Sequence, residues 1–208
     1  MKDMDIELKI LEVAKQEFME KGYINASMRT IAEKSGCTTG MLYSRFADKN
    51  KIFTSLVKEG ADKLLYCFNY YHNNFSNASV KEQIESLHNY SEQGMEKIID
   101  IIYEYFDSFK LIICSGFGSS YEHFVDTLVD MEVESSIRFM EVLRTQGYDL
   151  PHIRVDLCHI LANSLFNGVF EIVAHDFDKK SAKEYVSSLQ DFFAAGWDRL
   201  LGLKYEER

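Results

Sequence analysis

The sequence is short of the residues that interrupt helices. Its 208 residues contain one proline, Pro151, and eleven glycines, so long stretches hold no residue that forbids a helix. Proteins built from many strands need frequent turns, and turns are rich in these two residues. An all-α fold is therefore expected. The content of 46% hydrophobic and 27% charged residues is that of a globular protein and excludes a disordered chain.

Export and membrane signals are also missing. Three of the first five residues are charged and no apolar core follows them, so no secretion signal is expected. The longest uncharged stretches, such as residues 111 to 121, are too short and too rich in glycine and serine to span a membrane. The four cysteines lie far apart and form no C-x-x-C pair, which predicts reduced, mostly buried thiols in a cytoplasmic protein.

Motifs typical of enzymes and metal sites are absent from the sequence. It contains no H-E-x-x-H, no G-x-S-x-G, no P-loop and no dinucleotide-binding glycine pattern. The six histidines are scattered, and His152 and His159 lie seven residues apart without an evident third ligand. We therefore expect neither an enzyme nor a bound metal or cofactor.

What the sequence does have is an uneven distribution of charge. The formal net charge is −10, yet residues 27 to 51 hold five Lys or Arg against two Asp or Glu. Residues 64 to 208 hold twelve basic against twenty-three acidic residues. A weakly basic island on an acidic chain favours a small docking surface for a polyanion, although a charge cluster can also be an ordinary solvated face.

Capping residues divide the N-terminal region into short helices. Ser27, Thr38 and Asp48 each precede a helical stretch as N-caps, since their side-chain oxygens can accept a backbone N–H of the first turn. Gly22 and Gly36 end the first and second helices, because glycine readily takes the left-handed conformation found at helix ends. The two short helices on either side of Gly36 have the spacing of a helix-turn-helix.

This helix-turn-helix resembles a known DNA-binding signature. The pattern runs Phe18-x-x-x-Gly22-Tyr23, then from Ser27 to Gly36, then Gly40-Met41-Leu42-Tyr43-x-x-Phe46-x-x-Lys49. In order and spacing it is similar to the signature of the TetR/AcrR (tetracycline-repressor) family. The resemblance implies a helix-turn-helix DNA-binding domain in residues 1 to 48. It also implies a helical ligand-sensing and dimerisation domain in residues 49 to 208.

The resemblance also implies which residues meet double-stranded operator DNA. It assigns phosphate contacts to Ser27, Thr38, Tyr43 and Lys49, and base contacts to Thr39, Gly40, Met41 and Arg45; the interface also includes Met28 and Arg29. Many family members carry Lys in place of Thr39 and His or Tyr in place of Arg45, so the operator sequence does not carry over. An arginine at the latter position can read guanine, with about 1–3 kcal/mol of discrimination.

The last two helices carry more apolar residues than one buried face requires. The second apolar face is expected to pack against a twin subunit in a two-fold four-helix interface, or else within a monomer core. The predicted interface residues are Leu165, Phe166, Val169, Phe170, Val173, Leu189, Phe193 and Trp197. A homodimer in turn predicts an inverted-repeat operator.

The middle of the chain is rich in aromatic and sulfur-containing residues, which suits an apolar ligand cavity, and the penultimate helix adds a polar line at i, i+4, i+8. The candidate ligand contacts are Tyr66, Tyr103, Phe106, Cys114, Phe117, Tyr121, Asn163, Asn167 and Glu171. Each of them can instead be an ordinary core or surface residue. That the domain holds a pocket for a small molecule is implied by the resemblance.

These features together predict a ligand-responsive transcriptional regulator. Repression, with release from DNA by a small and largely apolar molecule, is what the resemblance implies. The alternatives are an activator and a helical partner-binding protein. The fourth helix is predicted to join the sensor to the DNA reader, so a ligand that favours one tilt of that helix would alter the spacing of the two recognition helices.

Overall fold

The computed structural model describes residues 2 to 202, with side chains from residue 5 onward. Within these residues the chain forms nine α-helices, one π-helical turn and no strand, so the predicted all-α fold is confirmed. The helices are α1 (Lys2–Asn25), α2 (Met28–Ser35), α3 (Thr39–Arg45), α4 (Lys49–Asn77), α5 (Val80–Glu104), α6 (Phe106–Lys110), α7 (Phe124–Thr145), α8 (Val155–Ala174) and α9 (Lys179–Leu201), and the π-helical turn, Leu111–Ser115, follows α6.

The predicted helix ends form where the capping residues stand. Each N-cap side chain accepts the backbone N–H three residues further on, Ser27 at 3.3 Å, Thr38 at 3.2 Å and Asp48 at 2.7 Å. Gly36 closes α2 at φ 73°, and Gly22 interrupts α1 at φ 70°. Both are left-handed conformations that side chains other than glycine adopt at a cost. The local signals therefore determine these helix ends.

Helix α5 ends earlier than its apolar periodicity predicts. The sequence pattern predicts one helix from Ser79 to about Cys114, whereas α5 ends at Glu104 and Tyr105 takes a non-helical conformation. A Cβ atom on Gly60 would lie 2.7 Å from the Tyr105 Cβ, and the Tyr105 hydroxyl donates a hydrogen bond to Glu59 at 2.8 Å. Long-range packing against α4 thus accompanies the break, and tertiary contact overrides the local helical preference here.

The contacts group the chain into two compact units. The first unit contains Met1–Lys63 and Glu104–Phe124, and the second contains Leu64–Tyr103 and Val125–Arg208. The first part of α4 therefore packs with the N-terminal helices, and its remainder packs in the second unit. The domain boundary expected between residues 48 and 49 stays a prediction, and the packing divides the chain later, inside α4.

The first unit is held by buried aromatic and aliphatic side chains. Phe18 and Phe53 are fully buried, with ring centroids 5.2 Å apart and nearly perpendicular planes. Tyr23 stacks on Phe18 at 5.8 Å. Ile31 of α2 and Leu42 of α3 are fully buried as well. Burial of such side chains contributes about 1.5–3 kcal/mol each, which holds the two short helices in place.

The second unit buries most of one face of α8. Four of the residues predicted at the dimer interface, Phe166, Val169, Phe170 and Val173, are at most 2% exposed within a single chain. They belong to the core of the protomer, so this part of the predicted interface is wrong. Periodicity shows that a helix has two apolar faces, but it does not show which of them the same chain covers.

By length and composition, α8 is the one helix of the described residues that could cross a membrane. A single such helix is weak support for a membrane span, because the core helices of soluble proteins pass the same test. The four cysteines, all described, form no disulfide with one another, as predicted. Only Cys158 is buried, however, whereas Cys114 is exposed and the other two are partly covered, so the expectation of mostly buried thiols is wrong.

Candidate nucleic-acid interface and ligand cavity

The N-terminal turn of α3 faces solvent. Thr38, Thr39, Gly40 and Met41 lie at or near the surface, while Leu42 directly behind them is fully buried and anchors the helix. A Cβ atom on Gly40 would meet nothing closer than 3.9 Å. The missing side chain at this position is therefore not a requirement of internal packing, and the turn presents a small, polar, accessible tip.

Further residues of the predicted interface surround this tip. Tyr43 is exposed and Arg45 is partly covered, both on α3, and Arg29 and Met28 at the start of α2 are also accessible to solvent. The Ser27 hydroxyl accepts the cap hydrogen bond, which leaves its own O–H as a donor for another acceptor. The structure thus places all these predicted residues on or beside the two short helices.

A buried carboxylate that the sequence analysis missed links α1 to α2. Glu17 is 3% exposed. One of its oxygens accepts the backbone N–H of Ser27 at 3.3 Å, and the other lies 3.5 Å from the Lys34 ammonium. The signal was a charged residue next to Phe18 on an otherwise apolar helical stripe. Because Glu17 is buried, it positions the start of α2 and does not itself offer a DNA contact.

The predicted phosphate contact Lys49 has a different role in the structure. Its ammonium donates hydrogen bonds to the carbonyls of Ile24 at 2.9 Å and Ala26 at 3.2 Å, and it lies 4.6 Å from the centre of the Tyr23 ring. Burial lowers the pKa of Lys49, and burial together with the nearby Asp48 raises the pKa of Tyr23. Two of three N–H donors are used internally, so Lys49 chiefly fixes the turn between α1 and α2.

The second unit contains a cavity of about 220 Å³. Helices α4, α5, α7, α8 and α9 all contribute to its wall. The wall is largely aromatic, and its rings include Phe68, Tyr71, Phe75, Phe139, Phe166 and Trp197. Burial raises the pKa values of Cys67 and Tyr71, both of which line it. A concave apolar space with a few polar groups is typical of a small-molecule site.

Two imidazole–carboxylate pairs supply the charged groups of the wall. Nε2 of His88 lies 3.2 Å from a carboxylate oxygen of Asp198, which is 5% exposed. Nε2 of His72 lies 3.2 Å from a carboxylate oxygen of Glu132. None of these four residues was predicted from the sequence, because α4, α5, α7 and α9 each contribute one and no local spacing relates them.

None of the nine predicted ligand contacts lines this cavity. Tyr66, Cys114 and Phe117 are exposed, and Phe106 and Tyr121 belong to the first unit. Tyr103, Asn163, Asn167 and Glu171 belong to the second unit but lie outside the cavity wall. The prediction of an aromatic cavity thus has a counterpart in the structure, formed by other aromatic residues.

Internal contacts explain the positions of Tyr103 and of the three polar residues on α8. The Tyr103 hydroxyl donates to the Phe177 carbonyl at 2.6 Å. Asn167 donates to Asn163 at 2.9 Å, and Glu171 lies 2.8 Å from His175, all along the outer side of α8. The polar line on α8 therefore satisfies its hydrogen bonds at the protomer surface.

Half of the residues predicted at the dimer interface line the cavity instead. They are Leu165, Phe166, Phe193 and Trp197. Leu189 packs inside the protomer as well, since its side chain would lie 2.9 Å from a Cβ atom on Gly168 of the neighbouring α8. The apolar excess of α8 and α9 is explained in large part by this cavity and by the contact between the two helices.

The comparisons with known proteins agree with this geometry. Residues 10–56 match the family model of bacterial regulatory proteins, tetR family. The HTH-type transcriptional repressor AcnR of Corynebacterium efficiens is 38% identical over 55 residues, which cover 26% of this chain and 29% of that repressor. The chain matches less than half of the length of the curated relatives.

Solved structures share the fold over nearly the whole chain. The TetR family transcriptional regulator PfmR from Thermus thermophilus has a TM-score of 0.57 at 22% identity, over 96% of each chain. The transcriptional regulator FadR from Bacillus subtilis, solved in complex with stearoyl-CoA, has a TM-score of 0.53 at 13% identity, over 91% of this chain and 98% of that one.

A capped helix-turn-helix with an exposed N-terminal turn on its second helix, within an all-α chain, is the arrangement of proteins that read DNA through the major groove. Residues 10–56 match the tetR family of bacterial regulatory proteins, and the chain shares the fold of a solved TetR family regulator. The resemblance noted in residues 18 to 49 is thereby confirmed.

Proposed function

We propose that this protein is a ligand-responsive repressor that binds an inverted-repeat operator as a homodimer in the cytoplasm. The proposal that the protein binds DNA rests on the exposed N-terminal turn of α3. Recognition helices insert their first residues into the major groove, and small polar side chains allow close approach. Thr38, Thr39 and Gly40 meet this requirement, and repression follows the relative AcnR, which matches this region.

The proposed DNA contacts are of two kinds: contacts to phosphates, which position the protein, and contacts to bases, which read the sequence. Ser27 and Thr38 bind phosphates, since hydroxyl groups beside helix N-termini are suited to anions. The exposed Tyr43 on α3 offers a further hydroxyl group to a phosphate. Arg45 reads a base edge together with the α3 tip. Lys49 contributes indirectly, because its ammonium holds the turn that presents α2.

The dimer forms through the outer faces of α8 and α9. Ile160 on α8 is 60% exposed and Phe192 on α9 is 73% exposed. They are the most exposed large apolar side chains of the two helices, and a contiguous apolar patch on the surface of one chain marks an interaction site. A two-fold axis pairs each such face with its copy and sets two recognition helices on one side of a DNA duplex.

The cavity in the second unit is the effector site. Helix α4 lines it through Cys67, Phe68 and Tyr71, and the first part of the same helix belongs to the first unit. A ligand that favours one position of α4 biases the conformation that binds DNA. Coupling of about 1–3 kcal/mol weakens operator binding by about 5- to 150-fold. Catalysis has no part in this function, in keeping with the regulators to which the chain is similar.

Selection of binding sites from random DNA duplexes by the purified protein tests the proposal. We expect an inverted repeat, with an affinity that falls linearly on a log–log plot against salt concentration. Substitution Arg45→Ala is expected to relax the preference at one base pair of each half-site. The matched control Arg138→Ala, an exposed arginine paired with Glu134 on α7, leaves the selected sequence unchanged. Equal binding to all duplexes at low salt would contradict the proposal.

A further inference from the structure

The charged groups in the cavity wall are acidic or histidine. Glu132, Asp198, His72 and His88 line the cavity, and the described wall contains no lysine or arginine. An imidazole cancels the charge of its carboxylate only while it is protonated. An anionic ligand would therefore meet two carboxylates without a permanent positive charge to bind it.

Asp198 is the more deeply buried of the two carboxylates. It is 5% exposed, and the partner that the structure gives its side chain is His88 at 3.2 Å. A buried carboxylate is costly unless it is paired and hydrogen-bonded. Its neighbour Trp197 lines the same cavity. A cation entering the cavity would gain the attraction of this carboxylate, which is itself largely shielded from water.

The aromatic rings of the cavity wall also favour a positively charged ligand. The faces of tryptophan, tyrosine and phenylalanine rings attract cations, by about 2 kcal/mol or more when the cation is desolvated. Trp197, Tyr71 and Phe75 line the cavity together with both carboxylates. Aromatic rings alone accommodate any apolar molecule, but rings combined with two carboxylates distinguish a cation from a neutral or anionic molecule of the same shape.

We propose that the cavity binds an organic cation that consists of an ammonium group on an apolar alkyl or aromatic body. Asp198 is the main counter-charge of the ammonium group, and Glu132 is the second. The apolar body packs against the aromatic rings. The role of this molecule as the effector rests on the proposed function, whereas its binding to the cavity does not.

Trp197 allows a direct measurement, because it is the single tryptophan of the sequence and lines the cavity. Its fluorescence is titrated with decyltrimethylammonium, 1-decanol and decanoate, each below its micelle concentration. We expect the cation to bind at least about tenfold more tightly than the alcohol, and the alcohol more tightly than the carboxylate. Equal or tighter binding of decanoate would overturn the proposal without any variant being made.

Two substitutions locate the counter-charge. Asp198→Asn is expected to weaken binding of the ammonium ion by about tenfold or more, without weakening that of decanol. Asp191→Asn, an exposed aspartate on the same helix, is the matched control and changes neither. Glu132→Gln, at a less buried position, is the second variant and remains informative if Asp198→Asn does not fold. An unchanged ratio of cation to alcohol affinity in the folded variants contradicts the proposal.

A parallel titration with operator DNA separates the two proposals. Cation binding followed by DNA release supports both. Cation binding without release supports the ligand class and contradicts the effector role, and failure of sequence-selective DNA binding leaves the fluorescence result intact.

Discussion

The tip of α3 and the cavity of the second unit are built in different ways. The tip depends on contacts across three residues, such as the cap hydrogen bond from the Met41 N–H to Thr38 at 3.2 Å. The cavity brings together side chains from five helices, among them Phe68 of α4 and Trp197 of α9. A site made by neighbours in sequence can be predicted from the sequence, whereas a site made by distant helices depends on how those helices pack.

The two regions also differ in how they treat charge. The tip carries neutral polar groups in water, where they cost nothing and can be exchanged for contacts to a partner. The cavity keeps a carboxylate, Asp198, at 5% exposure beside an imidazole. Retaining a costly group in an apolar wall suggests a functional constraint, and the tip shows none of this cost.

The largest expected effect comes from filling the space at Gly40. Substitution Gly40→Gln places a side chain where the protein itself has nothing within 3.9 Å, so thermal stability should not fall. The new side chain would separate α3 from the groove, and operator affinity should decrease more than about 100-fold, or roughly 3 kcal/mol. Fluorescence anisotropy with labelled operator and a thermal melt measure the two quantities.

Ser55→Gln is the matched control for that substitution. Ser55 is exposed on α4 in the same compact unit, away from the α3 tip in sequence. Operator affinity should stay within about twofold of the parent protein. If Gly40→Gln bound the operator normally, α3 would not be the recognition helix.

An intermediate effect is expected from removing the Lys49 ammonium. Lys49→Ala deletes two charged hydrogen bonds to backbone carbonyls and a cation–π contact, and should lower the free energy of unfolding by about 1–3 kcal/mol. Lys51→Ala, at an exposed lysine, should leave stability nearly unchanged. Urea unfolding checks both. If Lys49→Ala left stability unchanged and made the salt dependence of DNA binding shallower, Lys49 would be a phosphate contact.

The smallest expected effect compares the packing around one glycine of the first unit with that around one glycine of the second unit. Gly60→Ala should destabilise the protein by about 1–2 kcal/mol, because its Cβ would lie 2.7 Å from the Cβ of Tyr105, which outweighs the better helix propensity of alanine. Gly94→Ala meets Tyr71 at an ordinary 3.4 Å, so stability should be unchanged or rise by up to about 1 kcal/mol. Urea titrations measure both, and equal shifts would refute the difference in packing.

Much of the first unit could be predicted because its signals are local. Ser27, Thr38 and Asp48 cap helices as predicted, and Gly36 ends α2. The break at Tyr105 could not be predicted, since the apolar period continues through it and the contact with Gly60 spans more than forty residues.

Less of the second unit could be predicted, although its composition was informative. The aromatic and apolar excess of α8 and α9 is real, but Phe166 and Trp197 line a cavity where a dimer interface was expected. The hydrophobic pattern of a helix shows which of its faces are apolar, but it does not show what packs against them. Which neighbour covers that face depends on the whole arrangement of helices.

The sequence by itself determined the helical class, the ends of the first helices and the order of residues in the DNA-reading motif, because hydrogen bonds within a few residues and the helical period decide them. The tertiary structure alone decided the role of Lys49, the burial of Glu17 and the pairing of His88 with Asp198. These depend on atoms far apart in the chain, and packing is what brings such atoms within hydrogen-bond distance.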